Sequence, residues 1–459
     1  MRSILRAMQW QGAASAFVWM LLSHVAWGAG SWPHSWGGSS TDYGQSVALD
    51  ASGNVYVAGT SYSFGAGGAD VLILKYGPSG TLKWAKTWGG SSDEFGTGIA
   101  VGPDGYIYVT GGTSSFGAGW FDVFLLRLDT SGNLQWGETW GGGSYDFGYD
   151  IGFDQSGNIY VSAESYSNGN CAVILKFTPG GGSPIWSASW KGPATYDAFY
   201  SLAVDSNFNV VVAGTSWDYS VSPNHNSILL AKYDSSGNYL WSENWTTPRP
   251  GEDESTSLAT DGAGNIYIGG HHSAKCENSN FSECNFKTMV IGVGASGDFR
   301  WAQTWGQSGF GYVGGIGFNP NGELLVSGVQ NSGTAPKYFV SSYDTSGGLL
   351  SSTGWLGDQT IAPGTNPGMA VDGLGNAFIA GGAENNGGAW APIGAPAGGL
   401  PNELVMNSFA LGTPTGQVTS LTNPTVSQTG IQNTGGGGED VLVLRYPNSL
   451  SGGTLNPIR

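Results

Sequence analysis

A tryptophan-marked unit recurs along almost the whole chain and restricts the fold more than any other feature. The marker stands at Trp36, Trp88, Trp140, Trp190, Trp245, Trp305 and Trp355, in steps of 52, 52, 50, 55, 60 and 50 residues. A fixed period of this length means one supersecondary unit copied many times, with insertions confined to loops. In the first copy, Trp36-Gly37-Gly38-Ser39-Ser40 leads into Ser46-Val47-Ala48-Leu49-Asp50. The turn Ala51-Ser52-Gly53-Asn54 and then Val55-Tyr56-Val57-Ala58-Gly59 follow. After a loop come Asp70-Val71-Leu72-Ile73-Leu74-Lys75-Tyr76, a Pro-Ser-Gly turn, and Leu82-Lys83-Trp84.

Each copy holds four short strands. Asp-x-x-Gly-Asn turns join the first pair, as at Asp50–Asn54, Asp154–Asn158, Asp261–Asn265 and Asp372–Asn376. Gly there takes a positive φ, and the Asp and Asn side chains bond their own backbone. Ser-Gly turns join the second pair, at Ser131-Gly132 and Ser236-Gly237. Four antiparallel strands per unit, seven times over, predict an all-β, seven-bladed β-propeller. An open solenoid would need distinct capping repeats. Here Trp32–Trp36 instead matches the inter-repeat segment Trp84–Trp88, so the two ends are expected to meet and close a ring. The blades begin near 36, 88, 140, 190, 245, 305 and 355, and one propeller domain is expected over 31–459. The last blade carries an insertion at 384–438.

Composition agrees with many short strands and tight turns. There are 79 Gly, and 19 Trp, 20 Tyr and 19 Phe supply aromatic surface that only a core can bury. A net charge of −17 makes nucleic acid and anionic membrane poor partners. Residues 1–28 read as a signal peptide: Arg2 and Arg6, an apolar stretch from Ala13 to Trp27, then small residues at Gly28, Ala29 and Gly30. That reading places the chain in the secreted, periplasmic or cell-surface space, with no integral membrane segment once the leader is removed. An oxidising compartment would join Cys276 to Cys284, leaving Cys171 as a buried free thiol.

The pattern Trp-Gly-Gly-Ser, Asp-x-x-Gly-Asn, Tyr-Val-x-Gly and Asp-(apolar run)-Lys resembles the bacterial seven-bladed β-propeller repeat (SBBP) family of cell-surface and secreted proteins. The resemblance implies the fold and is nearly silent on activity. The sixth copy departs from it at Asn319-Pro320-Asn321-Gly322-Glu323, and the seventh through its insertion.

Five copies carry an acid just before the innermost strand: Asp42, Glu94, Asp146, Asp197 and Asp253. Gly311 and Gly364 replace it in the sixth and seventh. A closed ring would gather these carboxylates at one mouth, a candidate ligand site and a candidate metal site for a hard cation such as calcium. The competing reading has each acid bonding backbone amides of its own loop.

A second set places a base five residues after an acid, at Asp70/Lys75, Asp122/Arg127 and Asp440/Arg445, and predicts charge pairs between neighbouring blades. The seven Trp are read as packing between blades. His271, His272, Cys276 and Cys284 could hold zinc only in a non-standard spacing. Gly292-Val293-Gly294-Ala295-Ser296-Gly297 fits a dinucleotide fingerprint by letter, but lies in a hairpin turn. The insertion, with its patch Ala389–Ile393, is expected on the acid-lined face, as a lid, a docking loop or a surface excursion.

No His-Glu-x-x-His, Gly-x-Ser-x-Gly or phosphate-binding loop occurs, and no catalytic residue is assigned. The expectation is a monomeric binding or scaffold protein for an extracellular protein or glycan. The alternative is a polysaccharide hydrolase or lyase using paired carboxylates at the mouth.

Overall fold

A computed structural model describes residues 34–446, apart from segments 193–195, 219–224, 247–252, 275–284, 306–310, 332–335, 357–367 and the parts of 385–438 between five short strands. The leader at 1–28 and the expected Cys276–Cys284 disulfide lie outside the described residues.

The chain is an all-β propeller with four antiparallel strands per blade. Blade 1 comprises Asp42–Leu49, Val55–Ser61, Asp70–Tyr76 and Leu82–Trp88, ordered from the axis outward. Blade 2 runs from the inner strand Glu94–Val101 to the outer strand Leu134–Gly141, and blade 3 from Asp146–Phe153 to Trp186–Trp190. Blade 4 spans Tyr196–Val204 to Tyr239–Thr246, blade 5 Asp253–Thr260 to Phe299–Trp305, and blade 6 Gly311–Phe318 to Leu349–Leu356. These six blades are each built from consecutive strands. A further four-stranded sheet is composite: Gly368–Val371, Ala377–Glu384 and Glu439–Tyr446 take His34–Trp36 as their outermost strand, with Trp36 opposite Val441. It packs between the inner strands of blades 1 and 6.

Each inner hairpin is fixed by its own carboxylate. Asp50 Oδ1 accepts the amides of Ser52 and Asn54 (both 2.9 Å), while Oδ2 accepts Asn54 Nδ2 (2.7 Å) and the Tyr56 hydroxyl (3.0 Å). Asp154, Asp205, Asp261 and Asp372 repeat the arrangement, and Asn319 performs it in the divergent sixth copy. Gly53 sits at φ +75°, where a side chain is strained, yet Phe208 occupies the same place in blade 4 at φ +64°.

A single blade has two apolar faces and cannot bury either alone. An indole on the outer strand closes that gap: Trp88 is 1% exposed and packs on Phe116 and Phe124 of blade 2, with centroids 5.3 and 4.8 Å away. Trp36 does the same against blade 1, joining Val47 and Val55 to Val441 and Val443 in one cluster.

Polar latches accompany this packing. Thr130 O, in the outer hairpin of blade 2, accepts both Lys75 Nζ (2.8 Å) and Trp84 Nε1 (3.3 Å) from blade 1. Ser235 O in blade 4 accepts Lys176 Nζ (2.9 Å) and Trp186 Nε1 (3.2 Å) from blade 3. The expected charge pairing between blades is corrected here. Residues five apart on a strand lie on opposite faces and about 16 Å apart, so Asp122 and Arg127 cannot act together. The base instead pairs with the turn carboxylate of its own blade: Arg127 with Asp104 (2.8 Å), Lys176 with Asp154 (3.3 Å) and Lys232 with Asp205 (2.8 Å). Across blades it meets a carbonyl, not an acid.

The insertion is also relocated. Ala391–Ile393, Gly398–Gly399, Val405–Asn407, Gln417–Ser420 and Val426–Ser427 pair with the outer strands of blades 6, 5, 4, 2 and 1 in turn. These segments therefore follow the rim, where they satisfy edge amides and carbonyls, and do not roof the acid-bearing face.

The Lys232–Asp205 pair offers a direct test of the latch. Both side chains are buried, and Lys232 and Asn209 outweigh burial to hold the Asp205 pKa below its ordinary value. Lys232→Met strands that carboxylate and is expected to cost about 3 kcal/mol in denaturant unfolding. Adding Asp205→Asn should recover much of the loss, and a double variant as unstable as the single one would contradict the pairing.

Candidate functional site

The five recurrent acids are the first residues of their inner strands, or directly beside them, and they are used up locally. Asp42 is fully buried; its oxygens accept Gly38 N (2.7 Å), Ser61 Oγ (2.5 Å) and Ser63 Oγ (2.7 Å). Glu94 accepts Gly90 N (2.7 Å), Thr113 Oγ1 (2.9 Å) and Ser115 N (3.0 Å). Asp146 is held by Gly142 N, Ser165 Oγ and Ser167 Oγ. Asp197 takes Gly192 N (3.1 Å) and Ser216 Oγ (2.6 Å), with Lys191 Nζ at 3.5 Å, and Asp253 meets His272 Nδ1 at 2.6 Å.

The carboxylates thus tie the Trp-Gly-Gly-Ser loop to the end of the second strand. Among the described residues no three His, Cys, Asp or Glu side chains gather so as to hold a metal ion, so the structure does not bring the five acids together as a calcium site. The physical reason is that small hydroxyl and Gly neighbours let each carboxylate fold inward onto its own loop. His271 and His272 are adjacent on a strand and face opposite sides, and their proposed cysteine partners are outside the described residues. Cys171 is buried, and burial pushes its thiol up to about 11.

The open space lies on the propeller axis. Each inner strand of the six blades carries a β-bulge, after Gly44, Gly96, Gly148, Phe199, Ser255 and Val313. The extra residues are Gln45, Thr97, Tyr149, Tyr200, Thr256 and Gly314, and all six line one cavity of about 380 Å3. A bulge re-aims a side chain out of the ladder, and here it delivers one residue per blade to the axis. In five of the six blades the second strand carries Gly opposite the bulge, where a Cβ on Gly59 would lie 1.9 Å from Tyr43 O and one on Gly111 1.9 Å from Phe95 O; blade 3 has Ala163 there. The Gly of the Val-Tyr-Val-x-Gly motif is therefore the sequence mark of the bulge, and reading it so would have pointed to these residues.

The cavity is polar and acidic. Beside the bulge residues it is lined by Ser46, Asp150, Ser201, Glu254 and Ser257, and no Lys or Arg is among its described lining residues. Asp150 accepts Leu202 N (3.0 Å) and Ser201 Oγ (3.2 Å) from the next blade, and burial raises its pKa. Glu254 Oε2 faces His271 Nε2 at 3.7 Å, and burial pulls the His271 pKa down to about 4. Tyr149 and Tyr200 meet edge to face at 4.9 Å. Such a set accepts hydroxyl protons and offers aromatic faces. It has no cation to receive a phosphate or carboxylate.

A family described as "Beta-propeller repeat" (SBBP) matches residues 36–65 and 135–170. Regulatory protein FlaEY of Caulobacter vibrioides is 30% identical over 115 residues, a match that spans 22% of this chain and only 12% of that protein. Among solved structures, a protein of unknown function from Dyadobacter fermentans aligns with 10% identity over 90% of this chain and 97% of that one, at a TM-score of 0.43. A gluconolactonase from Xanthomonas campestris aligns with 11% identity over 67% and 90% of the two chains (TM-score 0.36). An ulvan lyase aligns with 11% identity over 76% and 93% (TM-score 0.44). These likenesses are too distant to speak for an activity.

The buried acids make stability depend on pH in a definite direction. Burial raises Asp122 and Asp197 to about 6 and Glu164 to about 7. Their folded values exceed the unfolded ones, so the folded state gains stability as pH falls through this range. The turn acids Asp50, Asp104, Asp154 and Asp205 are shifted down, because hydrogen bonds and bases outweigh burial, and their contribution is lost as pH falls below about 4. The thermal midpoint should therefore be higher near pH 5 than near pH 8 and fall below about pH 4. A midpoint rising steadily to pH 8 would contradict this assignment.

Proposed function

From a chain that belongs to the SBBP beta-propeller repeat family, we propose an exported, monomeric binding protein that receives a polar, uncharged ligand in the cavity on its axis. The composite sheet serves as the seventh blade and completes the wall of that cavity through Gly368 and Met369. The observation that carries the reading is the row of bulges. Six blades spend an irregularity at the same point, and each directs its extra residue into one cavity. The six residues are of four types, Gln, Thr, Tyr and Gly, so a near-symmetric scaffold presents an asymmetric lining, as recognition requires. Export and a place in the periplasm or at the cell surface belong to the same proposal and rest on the leader-like sequence at 1–28.

A second reading, hydrolysis or elimination on a polysaccharide, draws on one observation: Asp150 and Glu254 are two carboxyl groups in a single cavity. The five loop acids do not support it, since all are buried and hydrogen-bonded.

Titration of intrinsic fluorescence with neutral monosaccharides and polyols separates the readings. Saturable binding, weakened about tenfold in Glu254→Gln without change in the unfolding midpoint, is expected. New reducing ends or unsaturated products from oligosaccharides would favour the enzyme instead. Binding indifferent to Glu254→Gln would remove the axial cavity as the site.

A further inference from the structure

The cavity does not end at the axis. On the face where the inner strands begin, aromatic rings form a continuous arc over blades 2 to 4. Phe121 lies 5.0 Å from Tyr145, Tyr145 lies 5.8 Å from Tyr166, and Tyr166 lies 5.4 Å from Tyr196. A branch turns inward: Tyr145 stacks on Phe147 at 5.9 Å and 11°, Phe147 lies 5.4 Å from Tyr149, and Tyr149 meets Tyr200 inside the cavity. The arc is open to solvent at Tyr166, which is 41% exposed, while Trp120, next to Phe121 in sequence, is 78% exposed. Blade packing explains the buried Trp belt but not this second set, which lies on the loops and is partly wet.

Below the branch, Glu164 is 4% exposed, and its Oε2 has no hydrogen-bond partner among the described residues. Its carboxyl hydrogen-bonds Tyr149, which fixes the ring at the cavity entrance.

We propose that this arc is a chain of subsites for a neutral oligosaccharide. The terminal sugar occupies the axial cavity, and successive sugar rings lie on Tyr145 and Tyr166. The inference rests on the cavity-binding reading above and extends it from a small ligand to a glycan. The chemistry is complementary at both ends. Sugar C–H faces match flat amphipathic rings, which supply contact area at little entropic cost. Sugar hydroxyls match a cavity whose carboxyl groups, Asp150 and Glu254, offer acceptor oxygens. The net charge of −17 and the lack of Lys or Arg in the described lining disfavour anionic glycans. A proline-rich peptide could use the rings but would leave the hydroxyls and carboxylates of the cavity unpaired.

The test is calorimetry of the full chain with neutral gluco-oligosaccharides, from the monosaccharide to the hexasaccharide, beside a matched anionic series and a proline-rich peptide. Affinity for the neutral series should rise about tenfold or more with chain length. Tyr166→Ala, at an exposed position, should remove most of that increment while monosaccharide affinity stays the same, and Trp120→Ala, off the path, should leave both unchanged. Tyr166→Phe, which keeps the ring, should retain it and show that the fold is intact. Affinity that does not grow with length overturns the arc and leaves the cavity reading standing. Binding of no saccharide at any length overturns both. Preference for the anionic series or the peptide overturns the assignment to a neutral glycan.

Discussion

The insertion of an indole between neighbouring blades, seen at six junctions among the described residues, is the contact on which the rest of the structure depends. A four-stranded sheet twisted about an axis exposes an apolar face to each side, and only the next sheet can cover it. Trp36, Trp88, Trp140, Trp190, Trp245 and Trp305 are all buried at these junctions. Around them, Lys75 with Trp84 and Lys176 with Trp186 converge in pairs on single carbonyls of the following blade. A ring built this way has no stable intermediate edge. Its last junction must be made by the two ends of the chain, and Trp36 on its short strand makes it.

Once the blades are locked laterally, their carboxylates divide into two sets. The loop acids, Asp42 and its equivalents, are bonded within their own loops and act as folding devices. Other carboxyl groups sit elsewhere: Asp150 and Glu254 line the axial cavity, and Glu164 bonds Tyr149. What separates the sets is local. Gly, Ser and Thr around the loop acids supply amides and hydroxyls at close range, whereas Asp150 draws on its own blade through Ile151 N and on the next through Leu202 N and Ser201 Oγ.

The repeat, the four-strand unit, the Asp-x-x-Gly-Asn turns and the pairing of the two ends could all be read from the chain, because periodicity, alternation and turn chemistry are local properties. The Trp belt could be read for the same reason. The site could not. A one-residue bulge leaves the apolar pattern of Ser46-Val47-Ala48-Leu49 intact, so Gln45 and Tyr149 looked like ordinary strand residues. An acid beside glycines looks the same in sequence whether it faces a channel or its own amides, which is why Asp42 and Glu94 were read as facing a common mouth. The acid–base spacing of five misled for a geometric reason, since only the fold reveals that Arg127 answers Asp104 in the preceding hairpin. The course of the insertion along the outer strands was likewise hidden, because edge pairing is specified by backbone groups that every residue shares.

The central claim is that the bulges build a ligand site on the axis. A crystal structure of the full chain grown with a neutral oligosaccharide tests it most directly. The account requires a sugar in the cavity, with hydroxyls on Asp150 or Glu254 and the chain leaving over Tyr145 and Tyr166. A sugar bound instead at the loop acids or along the outer strands, with the axial cavity holding only solvent, would contradict it.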